Sequence, residues 1–285
     1  MVMDFDLTED QLMVQEWVRG FTDKEVKPVA SDLDRKSVYP AELVKQLAAM
    51  NLLGMLVPAE FGGAGSDYLS YIIALEEISR GWASLGAIMT VHNSLVCDPI
   101  LRFGSEAQKK KYLPLLARGE ALGCYALTEP GAGSDAGSIQ TRAEAKGNEF
   151  VLNGSKVFVT NGKYAHLAVV YGVTDPQRGK KGISAFLIEK ETPGISVGKI
   201  EDKLGLRSSD TAELVFQDCR VPKENLLGKQ GEGFRIALST LDGGRIGIAA
   251  QALGIAQACM EESLAYAKER RQFGKAIANF QAIQW

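Results

Sequence analysis

The hydrophobic period of this chain changes twice, and those two changes restrict its fold more than any single motif does. From Thr8 to about residue 118 apolar residues recur every three or four positions and so share helical faces. From about 121 to 232 they come in short β-branched runs broken by Gly, Pro, Asn and Asp, and from Phe234 the helical spacing returns. A helical repeat cannot line one face of a strand, so each change of period marks a change of structure. The expected class is α+β: an N-terminal all-helical domain over 1–120, a middle antiparallel β domain over 121–232, and the start of a C-terminal helical-bundle domain over 233–285.

Local signals place the elements. Thr8-Glu9-Asp10-Gln11 is a capping-box start, after which Val14, Trp17, Val18 and Phe21 fall on one face, predicting a buried amphipathic helix. Pro40 opens a second helix whose Leu43, Leu47 and Met50 share a face and which Gly54 stops. Helices are also expected near 67–80, 86–102 and 105–118, with their Met and aromatic stripes read as core. Asn153-Gly154, between Phe150-Val151-Leu152 and Val157-Phe158-Val159, predicts a two-residue hairpin turn. Strands are expected at 167–173, 183–189 and 211–217, and helices over Phe234–Leu241 and about 243–270, the latter burying Ile246, Ala249, Ala250, Leu253 and Gln257. A new helix begins near Ala278 and is cut at Trp285 without a stop signal, so the third part is expected to be incomplete.

Composition excludes several functions. With 32 Lys+Arg against 35 Asp+Glu the net charge is −3, which offers no general field for nucleic acid. Cys97, Cys124, Cys219 and Cys259 form no C-x-x-C pair, only His92 and His166 are present, and no H-E-x-x-H occurs, so no metal site is expected. Both histidines are assigned to core or surface, and Glu76-Glu77 to a half-exposed helix edge. No apolar run approaches the ~18 residues of a membrane span, and Met1–Asp6 is acidic where a targeting peptide is basic. The expectation is a cytoplasmic protein, or a mitochondrial matrix protein that has lost a transit peptide.

The stretch Tyr125-Ala126-Leu127-Thr128-Glu129-Pro130-Gly131-Ala132-Gly133-Ser134-Asp135-Ala136-Gly137 lets backbone approach a ligand closely, and its N–H groups suit an anion. Its spacing is not G-x-G-x-x-G, no periodic helix follows, and neither G-x-x-x-x-G-K-[ST] nor G-x-S-x-G is present. Rossmann, P-loop and α/β-hydrolase readings lose their support, and alone the loop is as readily a plain loop as a phosphate cradle.

Ala126-Leu127-Thr128-Glu129 followed by Gly133-Ser134-Asp135 and Ser138 resembles the signature of the acyl-CoA dehydrogenase flavoproteins. Lys156-Val157-Phe158-Val159-Thr160-Asn161-Gly162 resembles their second flavin-binding segment, Val221-Pro222-Lys223-Glu224-Asn225 their exit from the β domain, and Arg270-Arg271-Gln272-Phe273-Gly274 their later arginine motif. Thr240-Leu241-Asp242-Gly243-Gly244-Arg245-Ile246-Gly247 is most similar to the short-chain, butyryl-CoA branch.

The resemblance implies FAD as cofactor, held by Tyr125, Leu127, Thr128, Gly133 and Ser134, with Phe158 covering one face of the ring where many relatives carry Trp, and with Thr160 donating to its edge. It implies that Arg270, Phe273 and Gln281 serve the FAD of a neighbouring subunit in a homotetramer, and that Ser134, Asp242 and Arg245 contact the acyl-CoA. Glu129 is implied to be structural, and Asp135 to cap local backbone N–H groups. The implied reaction of fatty-acid β-oxidation converts a short-chain acyl-CoA to the trans-2-enoyl-CoA and passes electrons to an electron-transfer flavoprotein. Such a reaction needs a carboxylate to take the α-proton. In one branch of the family a glutamate precedes the arginine matching Arg245, but here that position is Gly244, so the base is expected beyond Trp285. The alternatives are a flavin oxidase of the same fold, acting on acyl-CoA or nitroalkanes, or a catalytically incomplete flavin- and acyl-CoA-binding fragment.

Overall fold

Thr8 begins the first helix as expected. Its hydroxyl accepts from the Gln11 N–H (3.3 Å) while the Gln11 side chain accepts from the Thr8 N–H (3.1 Å). The computed structural model describes residues 5–285, so the reading of the acidic start lies outside them for Met1–Asp4. Helix α1 (Glu9–Phe21) continues through a π-helical turn, Thr22–Val26, into α2 (Lys27–Lys36), and Pro40 precedes α3 (Ala41–Ala49). Then come α4 (Tyr68–Gly81), α5 (Ala83–Thr90), a second π-helical turn at Val91–Cys97, α6 (Asp98–Phe103) and α7 (Glu106–Ala117).

Val18, Leu43 and Leu47 are buried, but Trp17 is half exposed. α1 meets α4 through the side that carries Val18, and Trp17, one residue and about 100° away, falls on the outer flank. Glu77 is also not the half-exposed edge expected of it. It is buried between Arg19 (2.7 Å) and Arg80 (2.8 Å), and Arg80 in turn bonds Asp23 and Glu261. Arg80 is only three residues on, but Arg19, Asp23 and Glu261 lie far away in sequence, so neighbouring residues gave no sign of the whole network.

The sheet follows the order β6-β7-β3-β2-β4-β5-β8, with β1 beside β4. Its strands are β1 (Gly123–Ala126), β2 (Arg142–Lys146), β3 (Glu149–Thr160), β4 (Leu167–Val173), β5 (Ile183–Glu189), β6 (Ile195–Ile200), β7 (Thr211–Pro222) and β8 (Leu226–Leu227). It is mixed rather than purely antiparallel, because β4 runs parallel to both β1 and β2. Asn153-Gly154 does not turn the chain. β3 runs straight through it, and the hairpin lies earlier, at Gly147-Asn148 between β2 and β3. The pair forms a β-bulge against β7, where Asn153 and Asp218 exchange hydrogen bonds of 3.2 and 2.8 Å. Glycine is required there for a different reason: a Cβ on Gly154 would stand 2.6 Å from Thr141 Oγ1.

The last 53 residues hold one continuous helix, α8 (Gly233–Glu269), with no break at Asp242-Gly243-Gly244, then a short hairpin, β9 (Arg271–Gln272) and β10 (Lys275–Ala276), and α9 (Gln281–Gln284). Of the face assigned to the core only Ala250 is buried, and Ile246 and Leu253 are exposed. α8 packs on α4 and α5 instead through Gly247, Gly254 and Gln251. A Cβ on Gly254 would meet the Glu76 carbonyl at 2.3 Å, so the helices approach too closely for larger residues. Among the described residues no helix is long and apolar enough to cross a membrane, and no three metal-ligating side chains converge.

His92 ties the helices to the sheet. The Gly123 N–H donates to Nδ1 (3.1 Å), so the ring proton sits on Nε2 and donates to the Leu116 carbonyl (3.1 Å). Burial pulls its pKa from 6.5 to about 4. The folded value lies below the unfolded one, so the unfolded chain binds more protons across that window and stability falls as pH drops through it. The loss is expected to be roughly 3 kcal/mol. In urea unfolding at about pH 7 and pH 4.5, His92→Gln, which keeps a donor and an acceptor, should lose markedly less stability than the unsubstituted protein. Equal acid sensitivity in the two proteins would remove His92 as the cause.

Candidate functional site

Where β1 leaves the sheet, three successive residues are pinned from β3. Buried Lys156 donates to the Leu127 carbonyl (3.1 Å) and to Glu129 Oε1 (2.7 Å), and the Val157 N–H donates to the Thr128 carbonyl (2.8 Å). Glu129 also accepts from the backbone N–H groups of Gln140 (2.6 Å) and Thr141 (3.0 Å), which anchors the far side of the Gly-rich loop. Burial pulls Glu129 upward, but the Lys156 ammonium and these donors outweigh it and hold the carboxylate below its ordinary range. Burial draws Lys156 itself down to about 8. Glu129 is thus structural, as the resemblance implied. The loop's other acid, Asp135, accepts from the Ser138 hydroxyl rather than from the backbone N–H groups expected.

Immediately after Lys156 the pairing of β3 with β7 slips, and Phe158 takes φ +57° with its ring 64% exposed. An aromatic residue with positive φ is strained by about 1–2 kcal/mol, and exposing the ring recovers none of that. The bulge turns Phe158 toward a cleft of about 370 Å³. Tyr125, Leu127, Thr128, Gly133, Ser134, Phe158 and Thr160 all line this cleft, as does Arg245 from α8. No carboxylate is among the described residues that line it.

The cleft also has walls that motif reading missed. Val91 and Leu95 come from the π-helical turn, which widens the helix where it passes the cleft, and Leu238 and Leu241 come from α8. Their only sequence signal is i, i+4 and i, i+3 spacing, which core residues share. Asp242 does not line the cleft; its carboxylate accepts from Arg245 three residues on. Arg270, Phe273 and Gln281 lie elsewhere, at the far end of α8 and in the segment after it, with Phe273 93% exposed. Arg270 is 25 residues beyond Arg245, or roughly 37 Å of helical rise.

Residues 8–120 match the acyl-CoA dehydrogenase N-terminal domain, 124–219 the middle domain and 231–285 the C-terminal domain. This chain belongs to the acyl-CoA dehydrogenase family. It is 52% identical over 283 residues to the short-chain-specific acyl-CoA dehydrogenase of Clostridium acetobutylicum, covering 99% of this chain and 75% of that protein. It superposes with TM-score 0.97 and 50% identity on a chain solved in work on the electron transferring flavoprotein of Acidaminococcus fermentans, covering 99% of this chain and 74% of that one. A glutaryl-CoA dehydrogenase from Mycobacterium smegmatis, in complex with FADH2, matches with TM-score 0.92 and 37% identity over 98% of this chain and 70% of its own. Within this family the α+β order of helices, sheet and helix is the expected one.

Proposed function

We infer that this protein binds FAD in the cleft and oxidises an acyl-CoA thioester to the 2-enoyl-CoA, passing the electrons to an electron-transfer flavoprotein. The observation that carries the reading is the convergence of two sequence-distant motifs, 125–134 and 158–160, beneath an exposed aromatic ring held at positive φ. When bound, FAD supplies the acceptor for the hydride that leaves the β carbon. The residues present suit it: Thr128 and Thr160 offer neutral hydroxyl donors, Gly133 and Ser134 offer a loop that backbone can bring close to a pyrophosphate, and Phe158 offers a plane that excludes water from one face. Ser134 and Arg245 would hold the thioester end of the substrate, with Asp242 fixing the Arg245 guanidinium. Val91, Leu95, Leu238 and Leu241 give the acyl chain apolar walls, and the likeness to a short-chain-specific enzyme favours a short acyl group. We read 1–120, 121–232 and 233–285 as the three domains that supply these walls.

The remaining motif residues point to assembly. At roughly 37 Å of helical rise from Arg245, Arg270 is too distant to serve this chain's own cleft. With Phe273 and Gln281 it would serve the FAD of another subunit in a homotetramer, a reading supported by its distance from this chain's own cleft and by the motif resemblance. The test is flavin affinity. The protein should take up FAD from micromolar solution, and Arg270→Ala should weaken that binding about tenfold, the worth of one charge-assisted contact, while Arg271→Ala leaves it unchanged. No uptake of FAD by the folded protein would end the reading, and equal affinities in the two variants would end the role of Arg270.

A further inference from the structure

We infer that Asp210 is a positioning residue for the flavin edge, acting through the turn that follows β3 and so setting where the Thr160 hydroxyl stands in the cleft. The inference rests on the FAD reading above and goes beyond it, because Asp210 belongs to none of the sequence motifs and does not line the cleft.

Little else holds Thr160 to the sheet. β3 loses its register with β7 between Lys156 and Val159, and after that slip only two pairs remain before the strand ends, Val159 with Ala212 and Thr160 with Thr211. Asp210, next to Thr211, extends the grip past the end of the strand. Its carbonyl accepts from the Asn161 N–H (3.2 Å) and its Oδ2 from the Lys163 N–H (2.7 Å), so one residue takes hold of the turn at two points. The side chain is buried, and among the described residues the Lys163 N–H is its only hydrogen-bond partner, Oδ1 having none.

The turn needs that hold because its backbone is costly. Asn161 is fully buried with φ +64°, a region that asparagine tolerates better than most residues but still at a cost. Its Nδ2 donates to the Ile88 carbonyl of α5 (3.3 Å) and to the Gly123 carbonyl at the start of β1 (3.2 Å), which ties the turn to the helices and to β1. The Lys190 ammonium adds a bond to the Gly162 carbonyl (2.6 Å), and Asp210 supplies the tie to β7. Asp210 and Lys163 line a separate cavity of about 270 Å³ with Tyr39 and Tyr164, so the bonds that place Thr160 are made outside the cleft that Thr160 lines.

A donor at the flavin edge favours the electron-rich reduced ring over the oxidised one, and hydrogen bonds weaken steeply with misalignment. Releasing the turn therefore makes bound FAD harder to reduce. A through-space effect of the Asp210 charge has the opposite sign, because removing a negative charge makes the ring easier to reduce.

The two-electron potential of FAD bound to the protein, measured by dye equilibration, tests this. Thr160→Ala should lower the preference for reduced over oxidised FAD about tenfold, or about 30 mV, and Asp210→Ala about threefold, or about 15 mV. Asp210→Asn keeps an acceptor for the Lys163 N–H and should leave the potential unchanged. In the Thr160→Ala background Asp210→Ala should add nothing, since the group through which it acts is gone. Asp210→Glu keeps the charge but displaces the acceptor by one methylene; it should also lower the potential, and it carries the test if Asp210→Ala does not fold. The role of Asp210 is overturned if neither Asp210→Ala nor Asp210→Glu moves the potential, or if the full shift of Asp210→Ala persists without the Thr160 hydroxyl. It is equally overturned if Asp210→Ala and Asp210→Asn raise the potential alike, which is the mark of charge acting through space. Failure of the unsubstituted protein to take up FAD would instead overturn the FAD reading, and this inference with it.

Discussion

Gly244→Glu is expected to raise the rate at which the α-protons of butyryl-CoA exchange with D2O by about 100-fold or more, as read by NMR on the FAD-loaded protein, while Gly244→Gln leaves it unchanged. An α-proton of a thioester leaves only to a base within hydrogen-bond reach, and no carboxylate lines the cleft among the described residues. Asp242 is the nearest on α8, but it is engaged by Arg245. A Cβ added at Gly244 would meet Leu95 Cδ2 at 2.8 Å, and Leu95 is itself a cleft wall. A longer side chain there would therefore lie against a residue that walls the cleft. The overlap is with the methyl end of a flexible side chain, which can move, and glutamate improves on glycine inside a helix by about 0.5 kcal/mol. If the unsubstituted 285-residue chain exchanges the protons as fast as Gly244→Glu, a base already operates within it and the expectation of one beyond Trp285 fails.

The largest effect on stability is expected at Lys156. Lys156→Met leaves the buried Glu129 carboxylate with two backbone donors and no cation, a change worth about 3–5 kcal/mol, or a fall in Tm of about 10 °C. FAD affinity should fall too, because Leu127 and Glu129 lose the clamp that holds Thr128 between them. Adding Glu129→Gln should recover part of the loss, since the stranded charge is then gone. The pH dependence separates the two proteins. With Lys156 present, Glu129 has a folded pKa below its ordinary value, so its contribution is complete above about pH 4.5 and is lost as pH falls through the folded value. Without Lys156 only the Gln140 and Thr141 N–H groups oppose burial, so that pKa rises relative to the unsubstituted protein, and Lys156→Met should regain relative stability as pH is lowered from about 7 to 5. Melting curves in which both proteins lose stability in parallel over that range would contradict the assignment.

The helices and most strands were legible because they depend on spacing within ten or so residues. The capping box at Thr8, the strands at 167–173 and 183–189 and the buried Leu43 and Leu47 all follow from local pattern. The misreadings share one cause, which is a partner distant in sequence. Asn153-Gly154 carries the local signature of a hairpin, yet β7 lies opposite and turns the same two residues into a bulge. On α8 the apolar spacing suggests an inner face, but the helix can approach α4 only where its side chains are smallest.

For the site, sequence alone determined which residue types were available and, through the motif resemblance, the expectation that 125–134 and 156–162 serve one flavin site; residues of both segments do line one cleft. Residue type is written in the chain, and a motif preserves spacing without reference to the fold around it. Only the tertiary structure decided that Thr128 is held at both flanks by one lysine, that Phe158 is forced outward at positive φ, that Asp242 stands aside while Arg245 enters, and that Asp210 grips the turn after Thr160. Each of these is a relation between segments brought together by burying apolar surface, and the energy of that burial depends on which faces meet. No local pattern of residues specifies that meeting, because the same spacing can serve a core, a cleft wall or an exposed face.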